Sequence, residues 1–291
     1  MDRTKIIASL SALGLLAGCS PDGPASIRVG SKNFTEQIVL GELVAQQVER
    51  RLKIRVQRSL NLGGTLLAHQ ALVSGEIDLY PEYTGTAASV VLKEDAARDP
   101  AAVLARVQSE YRRRFEVEWL APLGINNTFA MVIRGSKARV EQLRTLSGAA
   151  RSAMPWTLGV GYEFEQRADG MPALQGAYNL RIDGAPKTMD LGLLYRALEQ
   201  DQVTMIAANS TDGLLSSLDL TMLEDDRGAF PPYEASIAVR AATLERIPGL
   251  REALAELSGK LDNRTMQRLN FDVDGRHRPV AQVAAEVLAG W

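Results

Sequence analysis

Asp78-Leu79-Tyr80-Pro81-Glu82-Tyr83-Thr84-Gly85-Thr86 begins like a short strand and then meets two residues that interrupt regular structure. Pro81 and Gly85 predict that the strand ends within a few residues, in a turn. The turn would present two tyrosines, a carboxylate and two threonine hydroxyls next to a strand end. In open α/β sheets small ligands bind at this position. We therefore predict a ligand site here.

The segments before this turn alternate between strand and helix patterns. Residues 27–30 and 54–60 alternate as strands, and the apolar residues between 39 and 52 recur at helical spacing. Thr35 is predicted to cap that helix, with Glu36 in its first turn. A second helix over residues 66–74 ends at Gly75. This order predicts a parallel, doubly wound sheet.

A second set of α/β patterns follows, so we predict an α/β protein of two lobes. The chain crosses from the first lobe to the second near residue 125 and returns near residue 230. Two crossings form a hinge, and a hinge between lobes forms a cleft. The predicted boundaries are 27–124 and 231–291 for lobe 1 and 125–230 for lobe 2. The strands predicted for the second lobe are 129–134, 157–160 and 203–208, with helices at 172–178 and 189–198, and a strand at 235–240 and a helical tail follow the return to lobe 1.

The composition excludes several classes of protein. The chain has 291 residues, 46% hydrophobic and 23% charged, with a net charge of −2, which favours packed cores and gives no basic excess for nucleic acid. Its single cysteine, Cys19, excludes a disulfide scaffold, a cysteine-rich zinc site and a CxxC redox pair. His69 and His277 lie in unpromising positions for catalysis. We predict no metal, no cofactor and no enzymatic activity.

The N-terminus has the pattern of an exported lipoprotein. Arg3 and Lys5 precede an apolar run of about 12 residues, which is too short to span a bilayer and is typical of a signal peptide. The run ends in Leu16-Ala17-Gly18-Cys19, which resembles the lipobox of bacterial lipoproteins at every position. Residues 1–19 are predicted to be the signal peptide, with lipid on Cys19, and residues 20–26 a linker. The protein would then work outside the cytoplasm on a lipid anchor.

Short blocks along the mature chain resemble the substrate-binding proteins of osmoprotectant ABC importers, which bind glycine betaine, choline, carnitine and related quaternary amines. The blocks recur in the order typical of that family, and the series is more specific than any single block. The resemblance implies a type II periplasmic-binding-protein fold and ABC permease and ATPase subunits as partners. The blocks are residues 30–37, 63–65, 78–86, 126–128, 163–164, 167–170, 210–213 and 223–226.

A trimethylammonium group has no N–H to donate, so aromatic faces hold it by cation–π attraction. A carboxylate at the other end of a ligand needs cationic or hydroxyl donors. The resemblance implies that Tyr83, Phe129 and Tyr233 are cage residues and that Thr86 binds a ligand carboxylate. It further implies ligand-binding roles for Lys32 and Arg167 as cationic partners from the two lobes, and for Asn127 near the ammonium. We expect Tyr80 and Tyr195 to be structural.

Three positions depart from the family pattern. Phe129 lacks the usual phenol, Asn127 lacks the negative charge that some members have, and Asn209 stands where tyrosine is usual. One missing cage wall predicts a loss of about 1–2 kcal/mol, roughly tenfold in affinity. Asn209 could instead hydrogen-bond a larger betaine, such as a trimethylated histidine derivative of the ergothioneine type.

We therefore predict an extracytoplasmic protein that captures a quaternary amine and delivers it to an ABC importer. The alternative is a sensor of the same fold that binds a different betaine and signals to a membrane partner. An enzyme on this fold with a thiol-linked cofactor would need a cysteine in the cleft, and Cys19 lies in the signal region.

Overall fold

The computed structural model describes residues 26–94, 97–153 and 155–291. Cys19 and the predicted signal peptide lie outside these residues. The strands are β1 Ser26–Gly30, β2 Arg55–Ser59, β3 Leu79–Tyr83, β4 Val117–Trp119, β5 Phe129–Arg134, β6 Leu158–Val160, β7 Lys187–Thr188, β8 Met205–Asn209, β9 Leu220–Leu223 and β10 Ala235–Arg240.

The helices follow most of the predicted helical patterns. A π-helical segment, Ala87–Leu92, follows α3, and a 3-10 helix covers Gly213–Ser216. The α-helices are α1 Thr35–Leu52, α2 Thr65–Ser74, α3 Thr84–Thr86, α4 Pro100–Phe115, α5 Gly135–Val140, α6 Leu146–Ala150, α7 Tyr162–Gln166, α8 Met171–Tyr178, α9 Leu191–Glu199, α10 Ala241–Arg246, α11 Leu250–Ala255, α12 Asn263–Asp274 and α13 Val280–Ala289.

The strands form two five-stranded sheets with the same arrangement. The orders are β2-β1-β3-β10-β4 in the first sheet and β7-β6-β8-β5-β9 in the second. In each sheet the fourth strand, β10 or β5, runs antiparallel to both neighbours. The parallel arrangement predicted for β1, β2 and β3 is confirmed, whereas both sheets are mixed because β10 and β5 run the other way. Each is the strand that the chain enters after crossing from the other sheet, so its direction is set by the crossing and not by its apolar pattern.

Pro81 does not interrupt the strand, although it was predicted to help end it. Pro81 lies inside β3, opposite Ile237 of β10. β1 pairs with β3 only between Val29 and Leu79, so the rest of β3 runs beside β10 alone. A strand with one unpaired side tolerates a residue that lacks an N–H donor. The chain leaves regular strand geometry after Tyr83, within a few residues as predicted.

The predicted cap of α1 differs as well. Phe34 occupies the N-cap position, and it makes no side-chain cap hydrogen bond. Thr35 is already helical, and its hydroxyl donates to Asp274 Oδ1 of α12 at 2.6 Å. A tertiary partner has thus taken the hydroxyl that the local pattern assigned to the helix end. The predicted end of α2 is confirmed, since Gly75 has a φ of 80° in the left-handed region.

Two crossing segments connect the sheets and pair with each other. One runs from β4 to β5 and the other from β9 to β10, and Asn126 and Glu234 form an antiparallel bridge between them. Asn127 N donates to Tyr233 O at 3.1 Å, and Ala235 N donates to Ile125 O at 3.0 Å. The lobe boundaries predicted at 124/125 and 230/231 fall within or beside these segments.

The C-terminal helices pack on the first sheet's helices and reach towards the second sheet. α13 packs along α1, and α12 contacts both α1 and the 3-10 helix. Gln267 Nε2 donates to Ser210 O, and Asn270 Nδ2 donates to Thr211 O, each at 2.8 Å. Within the described residues, no helix combines the length and the apolar character needed to cross a membrane.

Candidate functional site

A cavity of about 770 Å³ lies between the two sheets, and residues of both line it. This volume is in the range typical of small-molecule sites. The cavity brings together all eight residues that the sequence predicted for ligand binding, although they span more than 200 positions. These residues are Lys32, Tyr83, Thr86, Asn127, Phe129, Arg167, Asn209 and Tyr233.

The end of β3 positions one part of the wall, as the sequence indicated. Tyr83 is the last residue of β3, and Thr86 follows in the short helix α3. A Cβ on Gly85 would lie 2.5 Å from Pro232 O and 2.7 Å from Tyr233 Cδ1. Glycine at position 85 therefore lets the segment before β10 approach the end of β3 closely, which brings Tyr233 against β3.

Glu36, in the first turn of α1, is a buried carboxylate at the cavity wall. It accepts hydrogen bonds from the Tyr83 hydroxyl at 2.6 Å, from Asn127 Nδ2 at 2.9 Å, from Asn270 Nδ2 at 3.2 Å and from the Thr211 hydroxyl. Burial raises the pKa of the Glu36 carboxyl, although these four hydrogen bonds oppose the rise. Glu36 thus joins β3, the first crossing segment, α12 and the turn after β8.

Asp212 forms a second acidic group in the wall. Its carboxylate accepts from the Tyr195 hydroxyl at 2.8 Å and from Asn209 N at 3.1 Å, with Asn209 Nδ2 at 3.4 Å. Burial raises the pKa of Asp212 to about 6, and the charge of Glu36 adds to the rise. Asn209 lies opposite Phe129 in the β5–β8 ladder, so their side chains leave the sheet on the same face.

The two predicted cationic residues are both paired with carboxylates of the protein. Lys32 Nζ lies 2.5 Å from Glu82 Oε1, with only 3% of the lysine side chain and none of the glutamate exposed. Arg167 forms a bidentate pair with Asp169, through Nε at 2.9 Å and Nη2 at 2.6 Å. Arg167 Nη2 also donates to the Thr86 hydroxyl at 3.2 Å.

The aromatic rings of the cavity form two groups. Phe34 and Tyr83 stack with centroids 6.3 Å apart, and Lys32 Nζ lies 4.7 Å from the Tyr83 centroid. Phe129 makes edge contacts with Phe164 at 4.9 Å and with Tyr233 at 5.7 Å. The Arg167 guanidinium lies over the second group, 4.9 Å from the Phe129 centroid and 5.7 Å from the Tyr233 centroid. A protein cation therefore already contacts each predicted cage ring.

Several lining residues were missed at the sequence level. Glu36 was assigned only to the dipole of α1. Tyr195 was assigned only to an apolar stripe; the Tyr195 ring does pack in that core, but it also lines the cavity. Asn270 and Asp274 come from the helical tail, where no local pattern points to a site. Asp212 lies inside the block at residues 210–213, which was a signal that could have identified it.

Among residues 26–94, 97–153 and 155–291, no group of three or more His, Cys, Asp or Glu side chains is placed to hold a metal ion. Two mixed sheets, two crossing segments and a polar cavity between the sheets define the class of two-lobed solute-binding proteins.

Comparisons with known proteins agree with this class. The model for the substrate-binding domain of ABC-type glycine betaine transport systems matches residues 25–290. The carnitine transport binding protein OpuCC of Listeria monocytogenes is 32% identical over 287 residues, covering 98% of this chain and 92% of that protein. The ergothioneine transport permease/ergothioneine binding protein EgtU of Helicobacter pylori is 31% identical over 261 residues, covering 89% of this chain and 46% of that protein.

A crystal structure described as a glycine betaine/carnitine/choline ABC transporter superposes with a TM-score of 0.78 at 28% identity, covering 91% of this chain and 98% of that one. The two-lobed type II periplasmic-binding-protein fold predicted from the sequence is confirmed. The chain belongs to the family of substrate-binding domains of ABC-type glycine betaine transport systems.

Proposed function

We propose that this protein is an extracytoplasmic, lipid-anchored, non-enzymatic binding protein that captures a quaternary amine between its lobes and delivers it to an ABC importer. Its family supports the transport role, and the pattern ending at Cys19 supports the anchor. The proposed ligand contacts are the eight predicted residues of the cavity. The proposed lobes are those whose boundaries were predicted from the sequence.

The observation that carries the proposal is an aromatic cavity with an excess of acidic groups. Its lining has two basic and five acidic side chains. Such a cavity favours a positively charged ligand, and aromatic faces add about 0.5–2 kcal/mol per ring for a cation without donors. The aromatic lining residues are Phe34, Tyr83, Phe129, Tyr162, Phe164, Tyr195 and Tyr233, and the charged ones are Lys32, Glu36, Glu163, Arg167, Asp190, Asp212 and Asp274.

The proposed mechanism is closure of the lobes around the ligand, because several lining groups hydrogen-bond across the cleft. Glu163 Oε1 accepts from Thr65 N at 2.8 Å, and Arg167 reaches Thr86. A ligand that contacts both lobes stabilises the closed state in proportion to its preference for that state. Membrane subunits of the importer would then recognise the closed shape.

A larger betaine is the alternative cargo. Asn209 replaces the bulk of a tyrosine and offers an amide at the cavity wall, where its Nδ2 donates to Asp212 Oδ1 at 3.4 Å. The similarity to a protein named for ergothioneine supports this alternative.

The test is calorimetric titration of the domain beginning after Cys19 with glycine betaine, choline, carnitine and ergothioneine. We expect micromolar binding of at least one of them, weakened at least about tenfold by Tyr83→Ala through loss of a ring face. Tyr83→Phe keeps the ring and should retain most of the affinity. Tyr111→Phe is the matched control, because the Tyr111 hydroxyl is buried in a different apolar cluster and has no hydrogen-bond partner among the described residues.

Binding of none of the four compounds would overturn the proposed ligand class. Binding that Tyr83→Ala and Tyr233→Ala both leave unchanged would overturn the proposed contacts while leaving the class of ligand intact.

A further inference from the structure

The double glycine before α2 contains two glycines that differ in backbone conformation. Gly63 has a φ of 122°, where a residue with a side chain would be strained. Gly64 has a φ of −75° and a ψ of −178°, which is extended backbone that any residue adopts. Backbone conformation therefore explains the glycine at position 63 but not the glycine at position 64.

Space explains the second glycine. A Cβ on Gly64 would lie 2.6 Å from Glu163 Oε1 and 3.6 Å from Glu163 Cδ. Gly64 precedes α2, which packs on β3 and β10 of the first sheet, whereas Glu163 lies in the first turn of α7, which follows β6 of the second sheet. A carboxylate from the other side of the cleft thus occupies the volume that a side chain at position 64 would fill.

The helix α2 has no N-terminal cap from its own segment of the chain. Gly64 is the N-cap residue and makes no side-chain hydrogen bond, and the first turn of α2 contains no acidic residue. The first N–H groups of a helix have no partner inside the helix, and the positive end of the helix dipole lies beside them. Thr65, the first residue of α2, is only 1% exposed, so its N–H needs an acceptor within the protein.

Glu163 provides that acceptor. Its Oε1 accepts from Thr65 N at 2.8 Å, and its Oε2 lies 3.4 Å from the Thr65 hydroxyl. Although burial opposes the shift, the charge of Lys32 and the hydrogen bond from Thr65 N lower the pKa of Glu163, so the side chain is an ionised carboxylate at neutral pH. This is the geometry of an N-terminal cap, supplied by a residue 98 positions further along the chain.

The same end of α7 carries Arg167, which also reaches across the cleft. Arg167 Nη2 donates to the Thr86 hydroxyl at 3.2 Å, and Arg167 Nη1 lies 3.4 Å from Glu163 Oε2. The Arg167 guanidinium lies 4.9 Å from the ring centroid of Phe129. The contact between Glu163 and α2 therefore forms in the same arrangement that places Arg167 beside the proposed ligand contacts.

We propose that Glu163 is a positioning residue for closure: it caps α2 from the opposite predicted lobe, and the contact requires that position 64 has no side chain. Separation of the lobes breaks the cap and exposes Thr65 N to water, so the cap stabilises the closed state alone. The role of Glu163 rests on the proposed function, because it assumes closure, but it does not depend on which cargo is bound. Since 45% of the Glu163 side chain is exposed, the expected effect is moderate.

The experiment is a double-mutant cycle measured by calorimetry, with whichever of glycine betaine, choline, carnitine and ergothioneine binds the wild type most tightly. Glu163→Ala should weaken binding about fivefold, because the closed state loses its cap. Gly64→Ala should weaken binding by a similar factor, because the added Cβ displaces the carboxylate. In the Glu163→Ala background, Gly64→Ala should cost less than about twofold, since no carboxylate remains to be displaced.

Glu163→Gln separates capping from a direct attraction between the Glu163 charge and a cationic ligand. The glutamine amide oxygen can still accept from Thr65 N, so the affinity should stay within about twofold of the wild type. A direct attraction would instead make Glu163→Gln as weak as Glu163→Ala, because both variants lack the charge.

Two matched variants serve as controls. Glu165→Ala removes another glutamate of α7, one that accepts from the Thr188 hydroxyl at 2.7 Å on its own side of the cleft. Gly176→Ala adds a Cβ that meets no atom within 4 Å among the described residues. Both should leave the affinity unchanged, and thermal unfolding verifies that every variant folds.

Three results would overturn the role of Glu163 and leave the proposed function standing. These are additive effects of Gly64→Ala and Glu163→Ala, an unchanged affinity of Glu163→Ala, and equal weakening by Glu163→Gln and Glu163→Ala.

If none of the four compounds binds, the proposed function fails, and amide hydrogen exchange of the ligand-free protein decides the role of Glu163 separately. We expect the Thr65 amide to exchange at least about threefold faster in Glu163→Ala than in Glu165→Ala, because its acceptor is gone. Equal exchange rates would show that Glu163 does not cap α2.

Discussion

The pair formed by Lys32 and Glu82 shows how a single residue's role depends on its surroundings. Both side chains are almost entirely buried, and Glu82 also accepts from the Tyr80 hydroxyl at 3.2 Å and from Tyr83 N at 2.7 Å. Breaking a buried pair leaves one desolvated charge without a partner, which costs far more than losing an exposed pair. The pair therefore fixes the end of β3, where Tyr83 lines the cavity.

Lys32→Met should lower the free energy of unfolding by about 3–5 kcal/mol, because it leaves the Glu82 carboxylate buried without a cation. Adding Glu82→Gln to this variant removes the uncompensated charge and should restore part of the loss. Urea denaturation of the two single variants and the double variant measures these differences.

The matched control is Arg139→Met, which breaks an exposed ion pair with Asp219. Its cost should be far smaller than that of Lys32→Met, as for most surface pairs. A cost for Lys32→Met no larger than this would contradict the assignment of a stabilising buried pair.

Asp212 predicts a pH dependence of stability. Its pKa is raised from 3.8 to about 6 in the folded protein, so the fold favours the protonated carboxyl. The protonated Asp212 carboxyl therefore adds up to about 3 kcal/mol to the free energy of unfolding. This stabilisation is complete below about pH 4, declines as pH rises, and is lost above about pH 6. The difference in unfolding free energy between the wild type and Asp212→Asn should fall by this amount over the same range.

The control for this titration is Asp219→Asn at the exposed pair with Arg139, where the pKa of the carboxyl is lowered and not raised. The difference in unfolding free energy between the wild type and Asp219→Asn should show no decline with rising pH. A wild-type curve parallel to that of Asp212→Asn from acid to neutral pH would show that the Asp212 carboxyl titrates normally.

At the level of elements, α12 links the helical tail to the turn after β8. It presents Asn270 and Asp274 to the cavity, and its backbone packs tightly on the 3-10 helix. A Cβ on Gly213 would lie 2.3 Å from Phe271 N and 2.6 Å from Phe271 Cα. These are backbone atoms of a regular helix, so they cannot move aside without displacing α12.

Gly213→Ala should therefore destabilise the protein by about 1–3 kcal/mol through overpacking. Gly176→Ala in α8 is the matched substitution, because a Cβ there meets no atom within 4 Å in the part of the chain that the structure describes. That variant should be stabilised by about 0.5–1 kcal/mol, since alanine is the better helix former. Unfolding midpoints of the two variants give the comparison, and equal midpoints would contradict tight packing of α12 on the turn.

At the level of the whole molecule, polar contacts join the two predicted lobes around the cavity. Asp169 accepts from the Ser89 hydroxyl at 2.6 Å and from the Tyr233 hydroxyl at 2.7 Å, both from the first lobe. Thr211 of the second lobe donates to Glu36 of the first. In the proposed mechanism these contacts belong to the closed state, so their strength would contribute to the equilibrium between open and closed states.

Ser89→Ala should weaken ligand binding about three- to tenfold, because it removes one hydrogen bond to a charged group from the closed state. Calorimetry measures the affinity, and small-angle X-ray scattering of the ligand-free protein should show a larger radius of gyration than the wild type. Ser258→Ala removes a hydroxyl bonded to Ala121 within the first lobe and serves as the control. Unchanged affinity for Ser89→Ala would show that this contact does not report on closure.

Much of the fold and of the cavity could be predicted from the sequence alone. The positions of most strands and helices follow from apolar periodicity and from glycine, because these patterns act within a few residues of the chain. The eight predicted site residues came from short blocks resembling a family, and all eight line one cavity. Local patterns and such blocks need no knowledge of which distant segments meet.

Only the tertiary structure decided strand direction and charge pairing. β5 and β10 run antiparallel because of the crossings, and Pro81 fits in β3 because one side of the strand lacks a partner. Lys32 is neutralised by Glu82, 50 positions away, whereas Glu36 meets Thr211 and Asn270 and finds no basic partner among the described residues. Whether a charge is free to bind a ligand depends on its neighbours in space, and the sequence does not specify these because they come from segments far apart in the chain.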